Sequence, residues 1–341
     1  MRYSFANDYC LGADVRILKA LVDENFNQKP GYSFDQSSDL LRKKVQDLVG
    51  DENAHVFLVA GGTLCNVVAL SHFLRPYEAA MTLDSGHIVD HEAGSIEAHG
   101  HKVITTKGRD GKVDLEALEE EYSRYKDCHM VKPRLLFISN ATELGTTYTK
   151  SEMIAISKWC HERGMLLYVD GARLANALAL KDNDLSLKDL YELSDAFYIG
   201  GTKNGLLFGE VLVIKGDIAK DMYYLMKQNG ALLAKGFVLS EQFLAYFKDD
   251  LYLKLADHAN KMADLLRTSF KDMGIELASS SKTNQVFVKV DPTLVEYLQK
   301  EYEFSFWGKE DDKEILRFVT SFGTPLKEVE DFTKYLRAYH G

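Results

Sequence analysis

The sequence has little of what marks several common protein classes. Only 5 of its 341 residues are proline, which excludes a proline-rich linker or recognition segment. Its four cysteines, Cys10, Cys65, Cys128 and Cys160, stand far apart and form no CxxC pair. That spacing excludes a zinc ribbon, and the apolar neighbours of each cysteine predict reduced, partly buried thiols rather than a disulfide framework. No apolar run approaches the ~18 residues that a membrane span needs. The first ten residues carry one arginine with no apolar run behind it, so no signal peptide is expected. Lys and Arg number 41 against 51 Asp and Glu, a formal net charge of −10. Broad nucleic-acid binding needs a basic face, and none is expected here. The expectation is a cytoplasmic protein with neither a membrane nor a nucleic-acid partner.

What remains is ordinary globular composition, with 46% hydrophobic and 27% charged residues, and a length that fits about two domains. No fixed-period repeat or low-complexity tract interrupts it. Helical periodicity covers 39–48, 63–74, 115–125, 150–163 and 185–193. Short apolar runs lie at 55–58, 79–83, 102–105, 135–138, 166–169, 196–199 and 210–214, bounded by Gly, Asn or Asp. Strands and helices alternating at this spacing predict a mostly parallel α/β sheet with helices on both faces. The acidic run 116–121 reads as a solvated helix face. Beyond about 245 the pattern changes. A long helix over 251–270, strands at 284–290 and 315–320, and a helix over 292–301 predict a smaller α+β domain. The division is placed at 1–245 and 246–341.

The 24 glycines cluster at three strand ends. Gly61-Gly62-Thr63 follows a strand and opens a helix. Exposed N–H groups and the positive end of a helix suit a phosphate there. The segment is neither GxGxxG nor a P-loop, and read alone it is equally a plain strand-to-helix turn. Asp170-Gly171-Ala172-Arg173 places a carboxylate at a strand's carboxyl end, where open α/β sheets bind ligands. Such a poorly solvated group wants a cationic partner, and an Asp170–Arg173 salt bridge is the plainest alternative. In Gly200-Gly201-Thr202-Lys203-Asn204-Gly205, a partly desolvated lysine is suited to forming a Schiff base. A solvent-facing lysine in a turn is the alternative. His87 and His91 stand four apart. They offer a zinc pair, without HExxH or an obvious third ligand, or one flat face for a planar cofactor. Together a phosphate nest, a strand-end carboxylate, a strand-end lysine and an imidazole are the parts of a pyridoxal 5'-phosphate site.

The same residues resemble those of the threonine aldolase and β-eliminating lyase group of fold-type-I pyridoxal phosphate enzymes. The resemblance runs from Tyr3 to Tyr339. It rests on Asn7-Asp8, Tyr32 to Asp35, Gly62-Thr63-x-x-Asn66, Gly86-His87, Glu92-Ala93-Gly94, Val169 to Arg173, Thr202-Lys203 and Leu316 to Thr320. It implies a large domain built on a mostly parallel seven-stranded sheet, plus the smaller C-terminal domain. It also implies roles. Lys203 bonds covalently to the cofactor, Asp170 partners the pyridine nitrogen, and His87 stacks on the ring. Gly62 and Thr63 hold phosphate. Arg173 and Arg317 hold the substrate carboxylate, with Asn7 nearby. A homodimer or homotetramer is implied, in which Tyr32 and Lys235 serve the neighbouring subunit's site, Lys235 reaching phosphate. No metal is implied.

Three departures bear on activity. Asn7 stands where the family usually has Ser. Thr202-Lys203-Asn204 replaces Ser-Lys-Gly. After the strand-end Asn140 the family commonly has Thr-His, but Ala141-Thr142-Glu143 follows here. A retro-aldol cleavage must remove a β-hydroxyl proton, and Glu143 or His91 is left to do so. The leading expectation is cleavage of a β-hydroxy-α-amino acid, of the L-threonine or L-allo-threonine type, to glycine and an aldehyde. The alternatives are β-elimination or transamination, a cofactor-binding protein without turnover, and a zinc hydrolase on His87 and His91.

Overall fold

Strands covered on both faces read as unbroken apolar runs, and all seven runs of this chain are strands. The computed structural model describes residues 2–339. Its central sheet comprises β1 (His55–Val59), β2 (Glu78–Leu83), β3 (Lys102–Thr106), β4 (Lys132–Ser139), β5 (Leu166–Asp170), β6 (Ala196–Gly200) and β7 (Glu210–Ile214). The strand order is β1-β7-β6-β5-β4-β2-β3. Only β7 runs antiparallel to its neighbours; the other pairings are parallel. The mostly parallel α/β expectation therefore holds.

Helices flank the sheet, and their ends follow local chemistry. Thr149 and Glu152 form a reciprocal capping box that starts Lys150–Glu162. Gly50, at φ +74°, closes Gln36–Val49 in the left-handed conformation that favours glycine. Helix Leu115–Tyr122 stops short of the expected 125, because the chain tightens there: Arg124 N and Tyr125 N donate three residues back, to Glu121 O and Tyr122 O. Its acidic face is not wholly solvated: Glu119 accepts from Trp159 Nε1 and Arg163 Nε. Helix Gly62–Phe73 buries every residue from Cys65 to Leu70, so it is covered on nearly all sides.

The smaller layer is an antiparallel sheet of β8 (Glu276–Leu277), β9 (Gln285–Val290), β10 (Ser305–Glu310) and β11 (Lys313–Val319), in the order β8-β9-β11-β10. Its core packs Phe332 edge to face against Phe5, Phe270 and Phe318, with Phe318 tilted against Phe5 and Phe270. The N-terminal residues thus belong to this layer: Tyr3–Ser4 pairs with Tyr302–Glu303, and Val319 N donates to Phe5 O. From there the chain runs directly to Asp8. The long helix Leu251–Asp272 spans both cores. Leu255 and Ala256 pack into the large one, Leu266 and Phe270 into the small one.

Cys65 and Cys160 are buried, but Cys10 and Cys128 are exposed, which corrects the expectation of four partly buried thiols. Cys128 lies in the loop before β4, where no layer covers it. Among the described residues no helix is long and apolar enough to cross a membrane.

The junction of β5 and β6 is the tightest point. Gly200 N donates to Gly171 O at 3.0 Å. A Cβ on Gly171 would sit 1.7 Å from the Tyr198 carbonyl oxygen, so only hydrogen fits. Gly171→Ala is expected to destabilise the fold by at least about 3 kcal/mol through forced backbone displacement. A thermal midpoint within about 2 °C of wild type would contradict that reading.

Candidate active site

The carboxyl ends of the parallel strands and the start of antiparallel β7 meet at one edge of the sheet, beside the small layer. This is the edge where open α/β sheets place ligands. A cavity there is lined by Gly62, Thr63, His87, Asp170, Arg173 and Lys203. An outer cavity continues from it along His87, His91, Arg173, Lys203, Trp307 and Arg317.

Asp170 ends β5 and is 4% exposed. Its Oδ1 accepts from the Tyr198 hydroxyl at 2.6 Å and from Ala172 N at 3.0 Å. Its Oδ2 accepts from Asn66 Nδ2 at 3.0 Å. Three neutral donors of the protein hold the carboxylate. The alternative Asp170–Arg173 bridge does not form. Arg173 turns instead to Asp8, with Nε and Nη2 at 2.7 and 3.0 Å from the two carboxylate oxygens, a bidentate pair. Burial alone would raise the Asp8 carboxyl. The charges of Arg173 and Lys203, with hydrogen bonds from Arg173 and Asn284, hold it below the usual range.

Lys203 follows β6 and faces the cavity from a half-buried position. Burial lowers its pKa, and the Arg173 charge adds to the effect, against the opposing carboxylates of Asp8, Asp170 and Glu210. A lowered ammonium pKa is what an amine nucleophile needs. Below it Glu210 begins β7. It accepts from Thr202 Oγ1 at 2.8 Å and Gly201 N at 3.1 Å, yet burial pushes its pKa up to about 8.

His87 lies across the cavity. Its Nδ1 is 2.7 Å from Glu92 Oε1, whose side chain is fully buried, and this carboxylate fixes the ring proton on Nδ1. Asn66 bridges Glu92 to Asp170, donating to each. His91 ends the short helix His87–Asp90, its ring 5.6 Å from that of His87. Among the described residues no group of three or more His, Cys, Asp or Glu is arranged around a metal position.

Helix Gly62–Phe73 opens on Gly61 with no side-chain cap. Its first-turn N–H groups are therefore free for an anion at the positive end of a 12-residue helix. A Cβ on Gly62 would meet the Tyr198 hydroxyl at 3.0 Å. Arg317 is unlike Arg173. It stacks on Trp307 at 4.7 Å, its buried Nε has no partner, and burial with Arg173 nearby lowers its pKa to about 10.

Three expected residues do not line these cavities. Asn7 caps Tyr9 N through its side chain at 3.0 Å, while Tyr9 itself reaches the cavity. Tyr32 and Lys235 lie together elsewhere: Tyr32 N donates to Ala234 O at 3.1 Å, and Lys227 covers the Tyr32 ring. Sequence reasoning passed over Tyr198, Glu210, Tyr9 and Trp307. Glu210 had a readable signal, a charge heading an otherwise apolar strand. Tyr198 had none, because its role depends on the register of β6 against β5.

The Glu210 environment has a pH consequence in the cofactor-free protein. The folded chain keeps this proton up to about pH 8, whereas the unfolded chain releases it from about 4.5. The stability contribution is full below 4.5 and is lost as pH rises through 8. Across that window Glu210→Gln is expected to gain relative to wild type by up to about 2–4 kcal/mol. A constant difference in thermal midpoint from pH 4.5 to 8 would contradict the assignment.

With this geometry in place, comparison with known proteins is informative. Residues 21–293 match the beta-eliminating lyase family. The chain is 30% identical to the low specificity L-threonine aldolase of Pseudomonas aeruginosa, over 99% of this chain and 98% of that one. It superimposes on a solved structure of Leishmania major threonine aldolase with a TM-score of 0.96 and 41% identity, covering 98% of both chains. An aspartate aminotransferase of Thermus thermophilus, at TM-score 0.75 and 12% identity, shares the fold alone. The chain therefore belongs to the beta-eliminating lyase family and has the fold-type-I α/β architecture.

Proposed function

We propose that this protein is a pyridoxal 5'-phosphate-dependent lyase. Its reaction is retro-aldol cleavage of a β-hydroxy-α-amino acid, of the L-threonine or L-allo-threonine type, to glycine and an aldehyde. The observation that carries the proposal is the convergence of Lys203, Asp170, His87 and the uncapped helix start at Gly62 and Thr63 on one cavity. The family match and the aldolase relatives support the same reading.

The residues present fit the cofactor. The free first-turn N–H groups and the Thr63 hydroxyl would hold its phosphate, and the glycine at 62 lets the helix start approach the Tyr198 hydroxyl that holds Asp170. Asp170, oriented by three donors, would hold the pyridine nitrogen and its proton. His87, oriented by Glu92, would lie against the ring. Lys203 would hold the cofactor covalently through its amine. Bound there, pyridoxal phosphate supplies an electron sink for a pair released at Cα.

Substrate binding falls to the outer cavity. Arg317, desolvated and without a carboxylate partner, anchors the substrate carboxylate. Arg173 has only Nη1 left beyond its pair with Asp8, so it assists. Trp307 fixes the Arg317 guanidinium plane and excludes water from one face.

Tyr32 and Lys235 are assigned to the cavity of a second copy of the chain. Helix Val15–Glu24 exposes Val15, Leu18 and Val22, with Phe26 beyond it 94% exposed. An apolar stripe of this kind supports association of two copies.

The purified protein with added pyridoxal phosphate is expected to be yellow, with a visible band that borohydride abolishes. Lys203→Ala is expected to lack the band and to lose at least about 10³-fold in glycine release. A colourless wild-type protein that takes up no cofactor would sink the proposal. So would pyruvate or 2-oxo acid products in place of glycine across an amino-acid panel. For the shared site, mixed oligomers of Lys203→Ala and Lys235→Ala chains are expected to regain activity that neither pure variant shows. Activity no higher than the sum of the two would place Lys235 outside the neighbouring cavity.

A further inference from the structure

Cleaving a β-hydroxy amino acid requires a group that removes the hydroxyl proton as the Cα–Cβ bond breaks. The substrate's Cα must lie between Lys203 in the inner cavity and Arg317 in the outer one. The proton acceptor must therefore face the passage that the two cavities share. Five residues line both: Tyr9, His87, Glu143, Arg173 and Lys203. Arg173 is a cation paired with Asp8. Lys203 is assigned to the cofactor, and His87 to its ring face. Glu143 is the one carboxyl among the five.

Its geometry suits the task. Glu143 follows β4 and is only 9% exposed. Oε1 accepts from His87 N at 3.0 Å and from Ser139 Oγ at 2.6 Å. Both bonds fall on one oxygen, which fixes the carboxyl plane and leaves Oε2 for whatever enters the passage. His91, the other candidate, lines only the outer cavity and is exposed, facing Trp307.

Building on the proposed aldol reaction, we infer that Glu143 is the catalytic residue that accepts the β-hydroxyl proton. The oxygen–hydrogen pair becomes the second bond of the aldehyde carbonyl. The Cα–Cβ pair goes to Cα, which takes up one proton to become glycine. The proton on Glu143 then passes to water, so hydroxy amino acid is balanced by glycine and aldehyde. Burial raises the Glu143 pKa, against the Ser139 hydrogen bond, which makes it a stronger acceptor than an exposed carboxylate.

The test compares two reactions of the loaded enzyme. One is cleavage of L-threonine and L-allo-threonine. The other is exchange of the glycine Cα proton in D₂O, which needs the cofactor and Lys203 but no hydroxyl. Glu143→Gln keeps the shape and the Oε1 contacts. It is expected to lower cleavage by about 10²–10⁴-fold while holding glycine exchange and the visible band within about threefold. Glu143→Asp is expected to recover part of the cleavage. Equal loss of both reactions would make Glu143 structural and overturn the inference. Cleavage by Glu143→Gln within threefold of wild type would overturn it too, and a loss confined to His91→Asn would move the role to His91. A wild-type enzyme that exchanges glycine but cleaves no β-hydroxy amino acid would remove the aldol reading itself, and this role with it.

Discussion

The site depends on the contact between β5 and β6 at Gly171 and Gly200. The backbone after Asp170 lies against the Tyr198 carbonyl so closely that no side chain fits at residue 171. That approach sets the Tyr198 hydroxyl on Asp170. It also brings the chain past β6 so that Lys203 emerges beside the same carboxylate. Two groups distant in sequence thereby share one cavity without a direct ion pair. An Asp170 neutralised by Lys203 would be unavailable to a pyridine nitrogen, and a Lys203 locked in a salt bridge would be a poorer nucleophile.

A second constraint is electrostatic. The chain is acidic as a whole, yet Lys203, Arg173 and Arg317 gather at one place. Bringing three cations together without compensation would be costly. Asp8 offsets part of that cost by pairing with Arg173, and Asn284 holds Asp8 in turn. Asp8 gets there because the N-terminal strand is anchored in the small layer through Phe5. The two layers thus meet at a charge pair at the cavity wall. Arg317, carried by β11 of the small layer, remains the desolvated cation without a carboxylate, which is the natural place for an anionic substrate group.

Much of this was legible before any coordinates. The seven apolar runs became the seven strands, because residues buried on both faces of a sheet leave a signal that does not depend on partners. The glycine-headed helix, Asp170 and Lys203 were legible for a related reason: just past a buried strand, a glycine, a carboxylate or a lysine has a limited local chemistry. The partners were not legible. The plain alternative pairs Arg173 with its sequence neighbour Asp170, but a short turn carries the two side chains apart, and the guanidinium finds Asp8 from the other end of the chain. Cys10 and Cys128 were read from apolar neighbours in sequence, but neither segment is covered in space.

By itself the sequence determined the alternation of strands and helices, the residue types at each strand end and the family to which the chain belongs. These follow from periodicity, backbone freedom and motif order, all local or linear properties. Only the tertiary structure decided which charges pair, which arginine stays open, and that Glu143 lies in the passage between Lys203 and Arg317. Those outcomes depend on strand order, register and the docking of one layer on another. They are long-range geometric quantities, and no window of neighbouring residues contains them.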